Sequence, residues 1–279
     1  MTSCSKIVPD AQIPAYLQID SFAYVCDSAV DVTYSKTHNI ENVWVYADNV
    51  FLGVYTLPAK VPVLKTGNVK FDLKPGIKQN GISNTRVAYP FYQSYSPTYN
   101  LVAGQTIVVP ATTKYFSFVK IPFSESFELN DLQLERLVST KGVNIIKKQG
   151  IFEGKYGGEI FLTGNDTVCQ IAAKTAFTLP IGGLDVYLEL DYKTSTAFTF
   201  GILAYTSTAT NQQQIFTFNP STNANGDIAW KRIYIDMAPE IGNNSTALDY
   251  KIYFYATKKA SDPDVHIYLD NIKVVKVSG

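Results

Sequence analysis

Leu184-Asp185-Val186-Tyr187-Leu188-Glu189-Leu190-Asp191 decides the fold: Leu184, Val186, Leu188 and Leu190 alternate with Asp185, Tyr187, Glu189 and Asp191. Successive side chains of a strand point to opposite faces, so this period of two predicts a half-buried strand with an apolar inner row. The pattern returns where Tyr250, Ile252, Phe254 and Ala256 alternate with Lys251, Tyr253 and Tyr255, and again at Ile233, Ile235 and Met237. Phe198 to Tyr205 supplies another strand. Near the C-terminus the phase changes, with Val265, Ile267 and Leu269 on odd positions and Ile272 and Val274 on even ones. A slip of one residue turns an inner row outward, so a β-bulge is predicted near Asp270-Asn271.

Toward the N-terminus the runs are shorter. Val43-Trp44-Val45-Tyr46-Ala47 is followed by Asp48-Asn49 and then Val50 to Tyr55, which reads as a hairpin because Asp and Asn tolerate positive φ. Val69 to Leu73 alternates before Pro75-Gly76. Gly81 to Tyr99 carries Tyr89, Pro90, Phe91, Tyr92, Tyr95, Pro97 and Tyr99 with no sustained period, and is predicted to be a long connection lying over a surface. The helical candidate is Leu129 to Val138, where Leu129, Leu132 and Leu137 form a stripe.

A chain of 279 residues suits two modules of about 110 to 160 residues, each with its own core. Its 19 Tyr and 16 Phe, set in runs broken by Gly, Pro, Asn and Ser, are a sheet protein's composition. Lys plus Arg and Asp plus Glu balance at 24 each, so no net field draws the chain onto nucleic acid or an anionic bilayer. Cys4, Cys26 and Cys169 are too scattered for a disulfide framework or a zinc site. No apolar stretch approaches the roughly 20 residues that span a bilayer.

Catalytic chemistry finds little support. A nucleophilic triad needs a base, and the chain has just His38 and His266, both expected as ordinary surface histidines. Glu189-Leu190-Asp191 resembles the opening of the E-x-D-x-x-E motif of a jelly-roll hydrolase family, but Thr194 stands where the third acid belongs. Without it the pair of carboxylates that glycoside hydrolysis requires is incomplete, and the acids read as outward residues of an amphipathic strand. Gly154 to Gly158 and Gly182-Gly183 lack the setting of a phosphate loop and read as turns. A non-enzyme is expected.

Val43 to Lys78 resembles the PEGA-like small β-sandwiches, whose pattern is a V-x-V-x-x-D-x-x-x-G hairpin, a proline-bearing connection and a strand closing on a glycine. Phe127-Glu128, Gly157-Gly158-Glu159 and Tyr268-Leu269-Asp270-Asn271-Ile272 resemble the galactose-binding-like jelly rolls of many carbohydrate-binding modules, over about Phe116 to Val277. The expected fold is therefore all-β, two β-sandwich modules, the second a jelly roll. A tether over 1–12 precedes a first module over 13–113 and a second over 114–279. That second resemblance implies a structural calcium ion held by Glu128 and Asp270; the alternative is that Asp270-Asn271 caps the loose amides of the bulge.

Sugar binding in such modules depends on exposed aromatic rings with amides and acids nearby. Trp230, Tyr187, Tyr253 and Tyr255 fall on the outward phase of their strands, and Tyr92 and Tyr95 lie in the aromatic connection; they are the candidate ligand-binding residues. An outward stripe of large rings is either a ligand platform or a covered interface, and the Tyr89 to Tyr99 connection is a candidate cover.

Met1-Thr2-Ser3-Cys4-Ser5 resembles the end of a bacterial lipoprotein signal, which makes Cys4 the candidate lipidation site. The combination resembles surface lipoproteins of the Bacteroidota. It implies an outer-membrane, lipid-anchored binding protein whose partner is a glycan, or alternatively a subunit of an outer-membrane protein complex.

Overall fold

The computed structural model describes residues 12–31, 33, 35–137 and 142–278. The strands are β1 (Ala15–Ile19), β2 (Ala23–Tyr24), β3 (Asn42–Ala47), β4 (Val50–Thr56), β5 (Ala59–Val63), β6 (Gly67–Lys78), β7 (Arg86–Ala88), β8 (Thr98–Leu101), β9 (Thr106–Val108), β10 (Thr112–Thr113) and β11 (Val119–Glu125). They continue as β12 (Leu134–Arg136), β13 (Ile146–Gln149), β14 (Tyr156–Leu162), β15 (Val168–Ala173), β16 (Val186–Thr194), β17 (Phe198–Tyr205), β18 (Thr210–Phe218) and β19 (Lys231–Asp236). The helix α1 (Ala238–Asn243) precedes β20 (Asp249–Thr257) and β21 (Val265–Val277). The chain is all-β, as its period-two rows require.

Two compact units form, and neither is one continuous stretch. The first takes residues up to Ala23 together with Ile40–Gly76 and Gln93–Thr113; the second takes Tyr24–Asn39, Ile77–Tyr92 and Lys114–Gly279. Thus 24–39 and 77–92, which a linear division at 113 assigns to the first module, pack within the second.

In the first unit β1 pairs antiparallel with β5 and parallel with β9, while β3 lies between β4 and β6. Leu17 and Ile19, Val43 and Val45, Val61 and Val63, and Phe71 and Leu73 are all buried, so alternate positions of four strands supply its core. The β3–β4 turn has Asp48 at φ 48° and Asn49 at φ 65°, the positive pair that a tight two-residue hairpin needs.

The second unit is a sandwich of two antiparallel sheets. One runs β13-β14-β21-β16-β19, with β11 also on β21, and the other runs β12-β15-β20-β17-β18. Val186, Leu188 and Leu190 of one sheet face a core shared with Phe200, Ile202, Ile252 and Phe254 of the other. The expected bulge is present: Glu189 pairs with Lys273 and Asp191 with Asp270, so Leu190 stands against both Asn271 and Ile272. Asn271 has φ 47°, and the extra residue keeps Ile267, Leu269, Ile272 and Val274 all inside.

The leucine stripe at 129–138 forms no helix in the described part; Leu134–Arg136 is a strand paired with β15. The pairing gives these residues a sheet edge to join, and such tertiary contacts outweigh a three-leucine stripe. The connection through 81–99 is also more regular than expected, since it includes β7 and the start of β8.

Candidate functional site

The outward side of β16, β19 and β21 forms a grid. Val275, Tyr187 and Asp236 make one row, Lys273, Glu189 and Tyr234 the next, and Asp270, Asp191 and Arg232 the third. Sequence alternation marks these as outward positions, yet Glu189 is 0% exposed and Asp191 2%. The segments Tyr24–Asn39 and Ile77–Tyr92, with Tyr115, lie over them and complete their bonding. Arg232 donates to Glu189 at 2.5 Å and to Asp191 at 3.0 Å, while the hydroxyls of Tyr89 and Tyr115 donate to Glu189 at 2.6 and 2.8 Å. Thr37 donates to Asp191, and Lys273 is ion-paired with buried Asp31.

Electrostatics holds Arg232 charged and the Tyr89 and Tyr115 phenols neutral. Burial opposes the Arg232 charge, but Asp191 and Glu189 outweigh it and raise its pKa well above the ordinary value. Burial and the neighbouring Glu189 push the phenols of Tyr89 and Tyr115 far up, so both remain hydrogen-bond donors. The two acids of Glu189-Leu190-Asp191 are therefore members of a buried ionic network, Glu189 bonded through both oxygens and Asp191 through Oδ2.

The sequence-selected aromatics divide between places. Tyr187 is buried against Tyr89 and Phe91, with ring centroids 5.2 and 6.0 Å apart, and Tyr92 packs on Tyr115 and Tyr24. Tyr95 belongs to the first unit, where it bridges to Leu73. Trp230 stacks on Phe152 beside Tyr268. Tyr253 and Tyr255 share the outward side of β20, on the other sheet.

That face is the candidate site. Across it, Glu135, Ala172, Tyr253, Gly201 and Gln214 align in one register row, and Gln170, Tyr255 and Thr199 in the next. Lys251, Leu203 and Gln212 follow on the other side. Tyr253, Ala172 and Leu203 form an apolar floor against which Leu137 and Tyr205 pack. Tyr253 is only 3% exposed, because its ring lies across Gly201: a Cβ there would sit 2.5 Å from the ring and 2.3 Å from the Gln213 carbonyl. Tyr255 is 37% exposed, and Gln212 and Gln214 are open to solvent. Beyond Thr257, at the end of the same strand, lies a cleft of about 470 Å³ lined by Ser195, Thr196, Thr257, Lys258, Asp262 and Asp264.

No protein-family model matches this chain, and no curated protein matches it. Among solved structures it is similar to a xylan-binding domain of carbohydrate-binding-module family 22, at 13% identity over 57% of this chain and 96% of that one, TM-score 0.38. It is likewise similar to a family 11 carbohydrate-binding module from Clostridium thermocellum in complex with a β-1,3-1,4-mixed-linked tetrasaccharide (17%, 57% and 96%, TM-score 0.39). A family 28 module specific for non-crystalline cellulose gives 13%, 54% and 91%, with TM-score 0.37. Likenesses this remote carry no argument about ligand, so the site is argued from its own residues.

Glu128 and Asp270, the expected calcium ligands, both bond backbone amides of the 153–156 loop. Glu128 accepts the backbone N–H groups of Lys155 and Tyr156, both at 2.8 Å, through one oxygen. Asp270 accepts those of Asn271 and Glu153 at 2.8 and 3.4 Å. Among the described residues no group of three or more His, Cys, Asp or Glu is arranged to hold a metal ion. Both carboxylates staple the 153–156 loop and the bulge through amides, which is the capping role. Burial, with Asp191 and Glu153 adding to it against those amide bonds, pushes the Asp270 carboxyl up to about 8.

Of the two histidines, His266 is at the surface and His38 is not. His38 is half-buried beside Tyr24, and burial followed by the Arg232 charge lowers its pKa. His266 bonds Glu159 at 2.7 Å. Cys26 and Cys169 are free thiols; Cys4 lies outside the described residues. No helix among the described residues is long and apolar enough to cross a membrane.

Proposed function

We propose that the chain is a non-catalytic binding protein whose second unit takes a neutral glycan chain on the outward face of β12-β15-β20-β17-β18. The observation that carries this is the pairing of an aromatic strip with amides: Tyr255 and Tyr205 around the Tyr253 floor, edged by Gln170, Gln212 and Gln214. Pyranose rings present apolar C–H faces together with hydroxyls. Aromatic surface meets the first need and carboxamides, which both donate and accept, meet the second.

Affinity electrophoresis in gels containing soluble xylan, mixed-linked glucan or glucomannan tests it. Retention by at least one gel is expected, and Tyr255→Ala is expected to weaken it by about tenfold, the loss of one aromatic contact of roughly 1.4 kcal/mol. No retention in any neutral glycan, or retention indifferent to Tyr255→Ala and Gln214→Ala together, would reject this face.

We further propose that Cys4 carries a lipid which holds the protein at the outer membrane of a Bacteroidota-like cell. The Met1-Thr2-Ser3-Cys4-Ser5 pattern supports it. The full-length chain with its own export signal is then membrane-associated, and Cys4→Ser moves it to the soluble fraction.

A further inference from the structure

The sheet that bears the buried ionic grid is covered over only part of its outward side. Toward the β13–β14 edge the outward positions stay open, and they carry a connected set of rings. Phe161 pairs across strands with His266, centroids 4.4 Å apart and planes 15° apart; Tyr268 continues from His266 at 5.8 Å and 8°. Trp230 follows at 6.5 Å and stacks on Phe152 at 4.4 Å and 25°. Phe161 and Phe152 are exposed, and the side chain of His266 is 43% exposed.

The planes decide what such a surface can hold. At 4.4 Å and near-parallel, Phe161 spends one face on His266 and Trp230 spends one on Phe152, so within each pair the inner faces are taken and the rims stay free of ring contact. Aromatic rims carry partial positive charge, whereas faces carry negative charge. Two cations lie among these rings: Lys148 sits over a face of Tyr268, 5.7 Å from its centroid, and Lys193 is the cross-strand partner of Tyr268. The acid on this patch, Glu159, is almost fully buried and accepts from both Lys148 and His266 at 2.7 Å. Lys148 is thus matched by Glu159, and Lys193 is the cation that gives this ribbed aromatic strip its positive charge.

We propose that this strip is a second ligand face, selective for an acidic glycan whose carboxylates meet Lys148, Lys193 and His266 while its sugar rings pack along the aromatic rims. Charge complementarity names the occupant. A neutral chain offers these lysines only hydroxyl oxygens, whereas a carboxylate gains the stronger charge-assisted hydrogen bonds. The inference takes its ligand class from the proposed function but uses different residues on the opposite sheet.

Affinity electrophoresis of the full chain in polygalacturonate and alginate gels tests it, with xylan and mixed-linked glucan run beside them. The expected result is retention in an acidic gel that declines with added NaCl and is weakened at least about tenfold by Lys193→Gln or Phe161→Ala. Tyr255→Ala reads the neutral-glycan face, so one site failing does not hide the other. Far-ultraviolet circular dichroism and a thermal melt confirm that each variant is folded, and Lys148→Gln supplies a further substitution. The proposal is overturned if acidic gels give no retention at low salt. It is also overturned if retention is unchanged in the Lys193, Lys148 and Phe161 variants, or if poly-glutamate competes as well as polygalacturonate, which would leave a surface reading charge alone.

Discussion

Replacing Arg232 by methionine removes one cation from beneath Tyr24–Asn39 and Ile77–Tyr92 while keeping an apolar stem of similar length. Its guanidinium is the common partner of Glu189 and Asp191, and its side chain is 4% exposed, so water cannot substitute for it. Glu189 keeps the hydroxyls of Tyr89 and Tyr115, and Asp191 keeps Thr37 and Asn271, but two adjacent buried carboxylates lose their shared counter-charge. Breaking a buried pair from one side costs about 3–5 kcal/mol. For a folding unit of this size each kcal/mol moves the melting temperature by roughly 2–4 °C, so Arg232→Met is expected to melt about 6–20 °C lower. Differential scanning calorimetry and a urea titration with unchanged m-value measure it. Neutralising all three at once, Arg232→Met with Glu189→Gln and Asp191→Asn, is expected to recover most of the loss, because no uncompensated charge remains. A single variant within about 1 kcal/mol of the parent, or a triple variant no better than the single one, refutes the account of the grid as a closed ionic network.

Two further outcomes follow from the same unit. Gly201→Ala places a Cβ against the Gln213 carbonyl and the Tyr253 ring, so the sheet edge or the ring must shift; a loss of about 1–3 kcal/mol in urea titration, with weaker neutral-glycan retention, is expected, and a neutral result on both counts contradicts the packing. Asp270 has its folded pKa raised to about 8, above an unfolded value of roughly 4, so the folded state holds a proton that the unfolded state has released between these values. Its contribution is complete below about pH 4 and is lost as pH rises toward 8, so Asp270→Asn should gain stability relative to the parent across that window, measured by melts in EDTA. A parent that instead melts lower on chelation, with the effect absent in Asp270→Asn, would show a cation at that carboxylate.

What the sequence made legible was local. The rows at 184–191 and 250–256 announce strands because an inner face needs only alternation, and the phase change after Leu269 announces the bulge for the same reason. Tyr253 and Tyr255 could be placed on one outward face by that period. Which outward face is buried could not be read, because burial comes from residues remote in sequence: Glu189 is covered by Tyr89, Tyr115 and Arg232, and no local pattern distinguishes it from a solvated acid. The 129–138 stripe misleads in the opposite direction, since Leu134–Arg136 takes its conformation from an edge offered by β15. The linear module boundary failed to anticipate 24–39 and 77–92 because a chain leaving one core and returning to it carries no compositional mark.

That exchange of segments also constrains how the molecule is made. Asp31, among the earliest residues of the second unit, finds its counter-ion in Lys273, 242 positions later. A ribosome delivers the acid long before the amine. Until β21 emerges, 24–39 has no finished surface to settle on, so completion of this unit waits on that strand, and a nascent chain halted before residue 273 should leave that early stretch open to protease.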